Sequence, residues 1–209
     1  TFKQDSLGIV FNAITIYFEI KGLHEIINET GKSIAVKIYK LYYYTIKEIV
    51  NENRGTVYCF SNNSFLIIYS SNKIEVEEVI KTAQKIAFAL TQLINNQLED
   101  LGTTTFGMSN DRGDITRTCN ISNIGLQQIE WFGLPINKAI KICGESAKQF
   151  YIGISGQIFH KLDDSMKTVT RRNLIGIKKE IEMWSRVSYE FDNTKRYLYQ
   201  TNITEPIEN

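Results

Sequence analysis

The chain has 209 residues, enough for one domain and a part of another at roughly 150 residues each, and long enough to bury about 70% of its unfolded surface. Hydrophobic residues make up 43% and charged residues 22%, with only 2 prolines, which excludes a disordered tail, a coiled coil and a string of linkers. The 24 basic and 23 acidic residues leave a net charge of +1, so there is no general attraction to nucleic acid or to an anionic membrane, and neither is expected as a partner.

Residues 12–20, NAITIYFEI, are β-branched and aromatic and stop at Lys21-Gly22, the pattern of a central strand. A helical stretch follows. After Gly31, Ile34, Ile38, Leu41, Thr45, Ile46 and Ile49 recur three or four apart and predict a helix of about twenty residues with one buried stripe, ending at Arg54-Gly55. TVYCF (56–60) and FLIIY (65–69) are strand-like runs separated by Ser61-Asn62-Asn63-Ser64, a hairpin-loop composition. From Glu75 to Leu98, Val79, Ile80, Ala83, Ile86, Ala87, Leu90 and Ile94 share one side of a helix that should cover the sheet.

TTTFGMS (103–109) has strand character, NDRGD (110–114) the composition of a turn, and ITRTCNI (115–121) that of a partner strand. Gly133-Leu134-Pro135 opens a helix, with proline in the first turn where its missing N–H is harmless, and Ile136, Ala139, Ile140 and Cys143 form its buried side. FYIGIS (150–155) is a further core strand, residues 178–187 a possible helix and residues 196–201 a terminal strand. The order predicts an α+β fold, a mixed and largely antiparallel sheet with packed helices. It also divides into a domain over residues 1–165 and a C-terminal extension over 166–209 packed on it.

Cys59, Cys119 and Cys143 are an odd number at wide spacing, which fits reduced thiols rather than a disulfide framework or a paired zinc knuckle. No apolar run reaches the ~18 residues of a membrane span, and residues 1–20 lack the pattern of an export leader. A cytoplasmic location is therefore expected, and the glycosylation-type triplets at Asn28, Asn62, Asn120 and Asn202 carry no weight.

Several motif fragments carry little chemistry. Gly31-Lys32-Ser33 lacks the earlier glycine of a phosphate-binding loop, since position 26 is Ile26. Arg112-Gly113-Asp114 is turn chemistry. His24 and His160 have no Cys or second His at ligand spacing. Tyr42, Tyr43 and Tyr44 point three ways on a helix, which favours packing over base stacking.

Three segments in order resemble the class III nucleotidyl cyclase family, whose members work as dimers. Tyr17-Phe18-Glu19-Ile20-Lys21-Gly22-Leu23 resembles the family's strand end of Phe, any residue, Asp, Ile, any residue, Gly, Phe. Arg54 to Phe65 aligns without a gap on the hairpin that normally reads Gly-Gly, a strand, Lys, then Gly-Asp. Trp131 to Lys141 resembles the segment containing Asn-x-Ala-Ala-Arg. The resemblance covers roughly residues 10–160 and implies a ferredoxin-like fold.

It also implies two-metal chemistry, in which carboxylates hold two Mg²⁺ or Mn²⁺ ions on a nucleoside triphosphate while the 3′-hydroxyl attacks the α-phosphate. The metal positions fall on Glu19 and Asn63, the transition-state positions on Asn137 and Lys141, and the base-reading positions on Cys59 and Leu134. Glu19 keeps a carboxylate with one extra methylene, and a shift of about 1 Å can cost on the order of 10²-fold in rate. Asn63 removes a full negative charge from a site for dications, and Asp to Asn is the smallest change that does so. Lys141 lacks the planar fork of arginine. Cys59 and Leu134 complete neither an adenine nor a guanine pattern.

The resemblance thus implies a weakened member: a nucleotide-binding or regulatory pseudo-cyclase, dimeric with itself or with another cyclase-like chain. The competing expectation is an active cyclase, pyrimidine-specific and making an antiviral cyclic-nucleotide signal as bacterial relatives do, with Asp111 or Asp114 supplying the missing carboxylate.

Overall fold

A computed structural model describes residues 8–98, 105–121, 127–146, 151–172 and 178–204. Its centre is strand β1 (Ile9–Lys21), whose alternate residues are buried on both faces over much of its length. Ile14, Ile16, Phe18 and Ile20 enter the main core, whereas Ala13 and Tyr17 enter smaller clusters on the opposite face. A strand covered on both sides needs an almost continuous apolar run, which is why 12–20 shows little polar alternation.

Helices α1 (Leu23–Thr30), α2 (Lys32–Glu52) and α3 (Val76–Phe88) cover the first face. In α2 the buried side is Ala35, Ile38, Tyr42, Ile46, Ile49 and Val50, which shares Ile38, Ile46 and Ile49 with the expected stripe but is rotated to take in Tyr42, leaving Leu41 exposed and Ile34 and Thr45 half-buried. Beyond α3 the chain continues as a π turn (Ala89–Ile94) and a 3₁₀ turn (Asn95–Gln97), so the long amphipathic stretch is helical with a looser end. Strands β2 (Thr56–Ser61) and β3 (Ser64–Ser70) form the expected hairpin, and β3 pairs antiparallel with β1. No helix among the described residues is long and apolar enough to cross a membrane.

Strand β4 (Thr105–Ile121) differs from expectation. The turn expected at 110–114 is absent, and β4 is one strand of 17 residues paired with β1 from Lys21↔Thr105 to Ile9↔Arg117. Local turn composition is overridden because the ladder to β1 runs unbroken through Asn110–Asp114 and Asp111 has partners inside the fold. The true hairpin lies further along, where β4 pairs with β5 (Gln127–Phe132). Thr103 and Thr104 of the expected strand, and Phe150 of a later one, lie outside the described residues.

Helix α4 (Leu134–Glu145) lies on the second face, and Ile136, Ala139 and Cys143 pack against the sheet there. It approaches closely because β4 offers glycine: a Cβ on Gly113 meets Pro135 Cγ at 2.9 Å, and one on Gly107 meets Cys143 Sγ at 3.0 Å. The Ser109 hydroxyl donates to the Ala139 carbonyl at the same seam.

Strand β6 (Ile152–Ser155) is parallel to β4, after which come the short helix α5 (Gly156–Phe159) and a two-stranded ribbon of β7 (Thr168–Arg172) and β8 (Lys178–Glu182). The hairpin β9 (Ser185–Phe191) and β10 (Thr194–Thr201) joins the main sheet through β6. The sheet order is β2-β3-β1-β4-β6-β10-β9, with β5 branching from β4. The helix expected at 178–187 is thus two strands. Trp184 is buried between them and donates to the Met166 carbonyl at 2.8 Å, and Asp192-Asn193 at φ 51° and 56° closes the following hairpin.

Candidate nucleotide site

The strand end and the β2–β3 turn meet. Glu19 pairs across the ladder with Ser64, which places Asn63 directly beside it. Asn63 Nδ2 donates to Glu19 Oε1 at 3.4 Å and to the Ile20 carbonyl at 3.2 Å, while the Ile20 N–H donates to the Asn63 carbonyl at 2.8 Å. Ser61 Oγ donates to Asn63 Oδ1 at 3.1 Å and shares a hydrogen bond of 2.6 Å with Ser64 Oγ. Two acceptors on one side and a hydroxyl donor on the other fix which end of the amide is nitrogen.

This arrangement decides how a cation is received. The Asn63 amide donates to both Glu19 Oε1 and Ile20 O, so it engages oxygens that would otherwise be open to a cation. One carboxylate with a neutral amide turned nitrogen-first toward it does not fit a pair of dications. Among the described residues no cluster of three or more His, Cys, Asp or Glu side chains could hold a metal ion. Asp111 does not repair the deficit. It lies opposite Thr15 on β1, four residues from Glu19, or about 13 Å at ~3.3 Å per residue. Asp114 lies opposite Asn12 and accepts a hydrogen bond from its amide at 3.0 Å.

Around the pair, Tyr17 packs edge-on against Phe60 at 5.8 Å. Burial raises the Tyr17 hydroxyl above its ordinary pKa, the Ser64 hydrogen bond lowers it, and the Glu19 charge adds to the rise. Lys21 Nζ reaches the Cys143 carbonyl at 3.5 Å, near the end of α4. Burial pushes the Cys143 thiol up to about 12, so it stays protonated and unreactive.

Cys59 is exposed and lines a cleft of about 380 Å³ between β2 and β5, together with Tyr58, Trp131 and Phe132. The Tyr58 and Trp131 rings lie 4.9 Å apart. Leu134 is exposed at the first turn of α4, two residues beyond Phe132. A cleft walled by aromatic rings can take a planar ring by stacking. Asn137 and Lys141 are both exposed on α4, and Lys141 is paired with Glu145 at 2.6 Å. No hydrogen bond or ion pair among the described residues links them to Glu19 or Asn63. The chain therefore brings the two expected metal positions together and leaves the two expected transition-state positions facing outward.

Ser61, Ser64 and the Ile20 carbonyl were not singled out from the sequence. Their signal was available in part, because the residues flanking Asn63 in a tight turn and the residue following Glu19 must share its neighbourhood.

No protein-family model matches the chain, and no curated protein does. Solved structures do. The guanylyl cyclase Cya2 superposes with a TM-score of 0.73 at 12% identity, covering 93% of each chain. The adenylyl cyclase CyaB from P. aeruginosa gives 0.70 at 13%, covering 92% of this chain and 94% of that one. The guanylate cyclase domain of RhGC from Catenaria anguillulae, in complex with GTP, gives 0.69 at 12%, covering 94% and 100%. The chain has the class III nucleotidyl cyclase fold.

Proposed function

We propose that this chain is a regulatory pseudo-cyclase, a cyclase-fold domain that binds a nucleoside triphosphate or related nucleotide, dimerises, and acts in signalling without cyclising its ligand. The observation that carries this reading is the Asn63 amide bridging Glu19 Oε1 and the Ile20 carbonyl, which satisfies with two N–H groups the oxygens a cation needs. Binding of Mg²⁺ or Mn²⁺ there is weak or absent. A lost carboxylate ligand removes several kcal/mol, of order, of the charge stabilisation a metal gives at a phosphoryl oxygen. Lys141, already paired with Glu145, offers a point charge in place of a fork.

Nucleotide recognition is supported by the aromatic cleft beside Cys59 and by the GTP complex of a fold neighbour. Dimerisation is supported by the outward direction of Asn137 and Lys141, which need a second chain, identical or cyclase-like, to face a strand-end pair.

The test is incubation with each of the four ribonucleoside triphosphates and Mn²⁺ or Mg²⁺, with chromatography for cyclic product and calorimetry for binding. No product is expected, nucleotide binding should persist in EDTA, and Asn63→Asp should make binding depend on the metal. Robust turnover that Glu19→Ala abolishes overturns the reading in favour of an active cyclase. Absence of both nucleotide binding and self-association leaves a protein-interaction scaffold instead.

A further inference from the structure

Beyond β4 and β6, on the side of the sheet away from the Glu19–Asn63 turn, lies a second pocket of about 300 Å³ between α4, α5 and the β9–β10 hairpin. Its walls carry Lys138, His160, Tyr189, Lys195 and Arg196, with Ser155 among them, and no lining residue is acidic. One of the three permanent cations is already compensated. Asp111, wholly buried, accepts a hydrogen bond from Ser155 Oγ at 2.6 Å and lies 3.6 Å from Lys138 Nζ. Lys195 and Arg196 make no ion pair among the described residues.

Arg196 lines the pocket half-buried, its Nε shielded from solvent and without a hydrogen-bond partner among the described residues, which leaves the terminal guanidinium nitrogens as its possible donors to a ligand. Burial raises the Tyr189 hydroxyl above its ordinary pKa, with the Asp111 charge adding to the shift and Arg196 opposing it. At neutral pH this hydroxyl is therefore a neutral donor beside the two cations.

We infer that this pocket binds a phosphate group carried by a small molecule, with Lys195 and Arg196 as its principal contacts and Lys138 at its inner wall. Two cations without an ion pair within 4 Å, of which Lys195 has Glu190 directly across the ladder, match a phosphate monoester, which carries about −1.5 to −2 at neutral pH, better than a single carboxylate. The guanidinium fork can donate two parallel hydrogen bonds to phosphate oxygens. The volume is at the lower end of the roughly 300–1,000 Å³ of small-molecule sites, which limits the ligand to a phosphate with a small substituent. The site uses neither Glu19 nor Asn63 and stands apart from the nucleotide reading.

The test titrates inorganic phosphate, and separately acetate, into the full chain at constant ionic strength and neutral pH without divalent metal or nucleotide, followed by amide NMR. Phosphate is expected to shift the amides of Gly156, Gln157 and Lys195 to Tyr197 saturably, with acetate leaving them unmoved. The double change Lys195→Gln and Arg196→Gln should weaken phosphate binding at least about tenfold, from the loss of two charge-assisted hydrogen bonds. Lys195→Gln alone, at an exposed position, gives a smaller loss in the same direction and serves if the double variant misfolds. Absence of a saturable shift, an equal response to acetate, or undiminished affinity in the variants overturns the inference.

Discussion

Burial raises the pKa of Asp111 above its ordinary 3.8, and the Ser155 hydrogen bond and the Lys138 charge offset part of the rise. Between 3.8 and the raised folded value, the folded chain keeps a proton that the unfolded chain has released. Stability contributed by this group therefore falls as pH rises through that window, and above it the cost is full and constant. Asp111→Asn keeps an acceptor for Ser155 and removes the titration. In urea unfolding followed over acidic to neutral pH, the stability of the wild type minus that of the variant should fall as pH rises; a difference that grows with pH refutes this. Ser155→Ala should cost about 1–3 kcal/mol, since this hydroxyl donates to Asp111 and accepts from the Ile158 N–H. The Glu19–Asn63 neighbourhood was legible in the sequence because a strand terminus and a four-residue turn each fix a side chain within a short stretch. The Asp111–Lys138 pair was not, because it joins a strand to a helix only after α4 is seated on the sheet.

At the scale of elements, legibility followed the range of the forces involved. The β2–β3 hairpin and the stripes of α2 and α3 rest on period and on local turn chemistry, and the sequence displays both. Strand β4 does not, because Asn110 to Asp114 has a turn composition whose straight path is imposed by the ladder to β1. The segment 178–187 became β8 and β9 because partners β7 and β10 and the buried Trp184 override a weak local preference. Glycine beneath α4 is the physical condition for that helix's position. Gly113→Ala drives a Cβ to 2.9 Å from Pro135 Cγ, and overpacking of this kind costs about 1–3 kcal/mol. The expected outcome is a lower urea midpoint with an unchanged slope, and an unchanged midpoint shows instead that the first turn of α4 yields at no cost.

For the whole molecule, the expected metal and transition-state positions lie apart, although Glu19 has the strand parity of Tyr17, which packs on α4. Glu19 near the end of β1 meets Asn63 of the β2–β3 turn, whereas Asn137 and Lys141 are exposed on α4. The β4–β5 hairpin and neighbouring segments leave large apolar side chains in solvent, with Phe132 56% and Leu134 50% exposed and Phe60 and Ile129 close behind. Three of these residues, Phe60, Ile129 and Phe132, line one cleft and form a patch of the kind that marks an association surface. Burying one phenylalanine in a partner contributes about 1.5–3 kcal/mol, while burying an unpaired carboxylate costs more than that. Phe132→Glu should therefore weaken self-association by at least about 100-fold while leaving the fold's stability almost unchanged, because the side chain is already exposed. Sedimentation across micromolar concentrations, with and without GTP, reads the first effect, and urea unfolding reads the second. A wild-type chain that stays monomeric with nucleotide bound requires both halves of recognition to lie on one molecule, and the outward side chains of α4 then take no part in it.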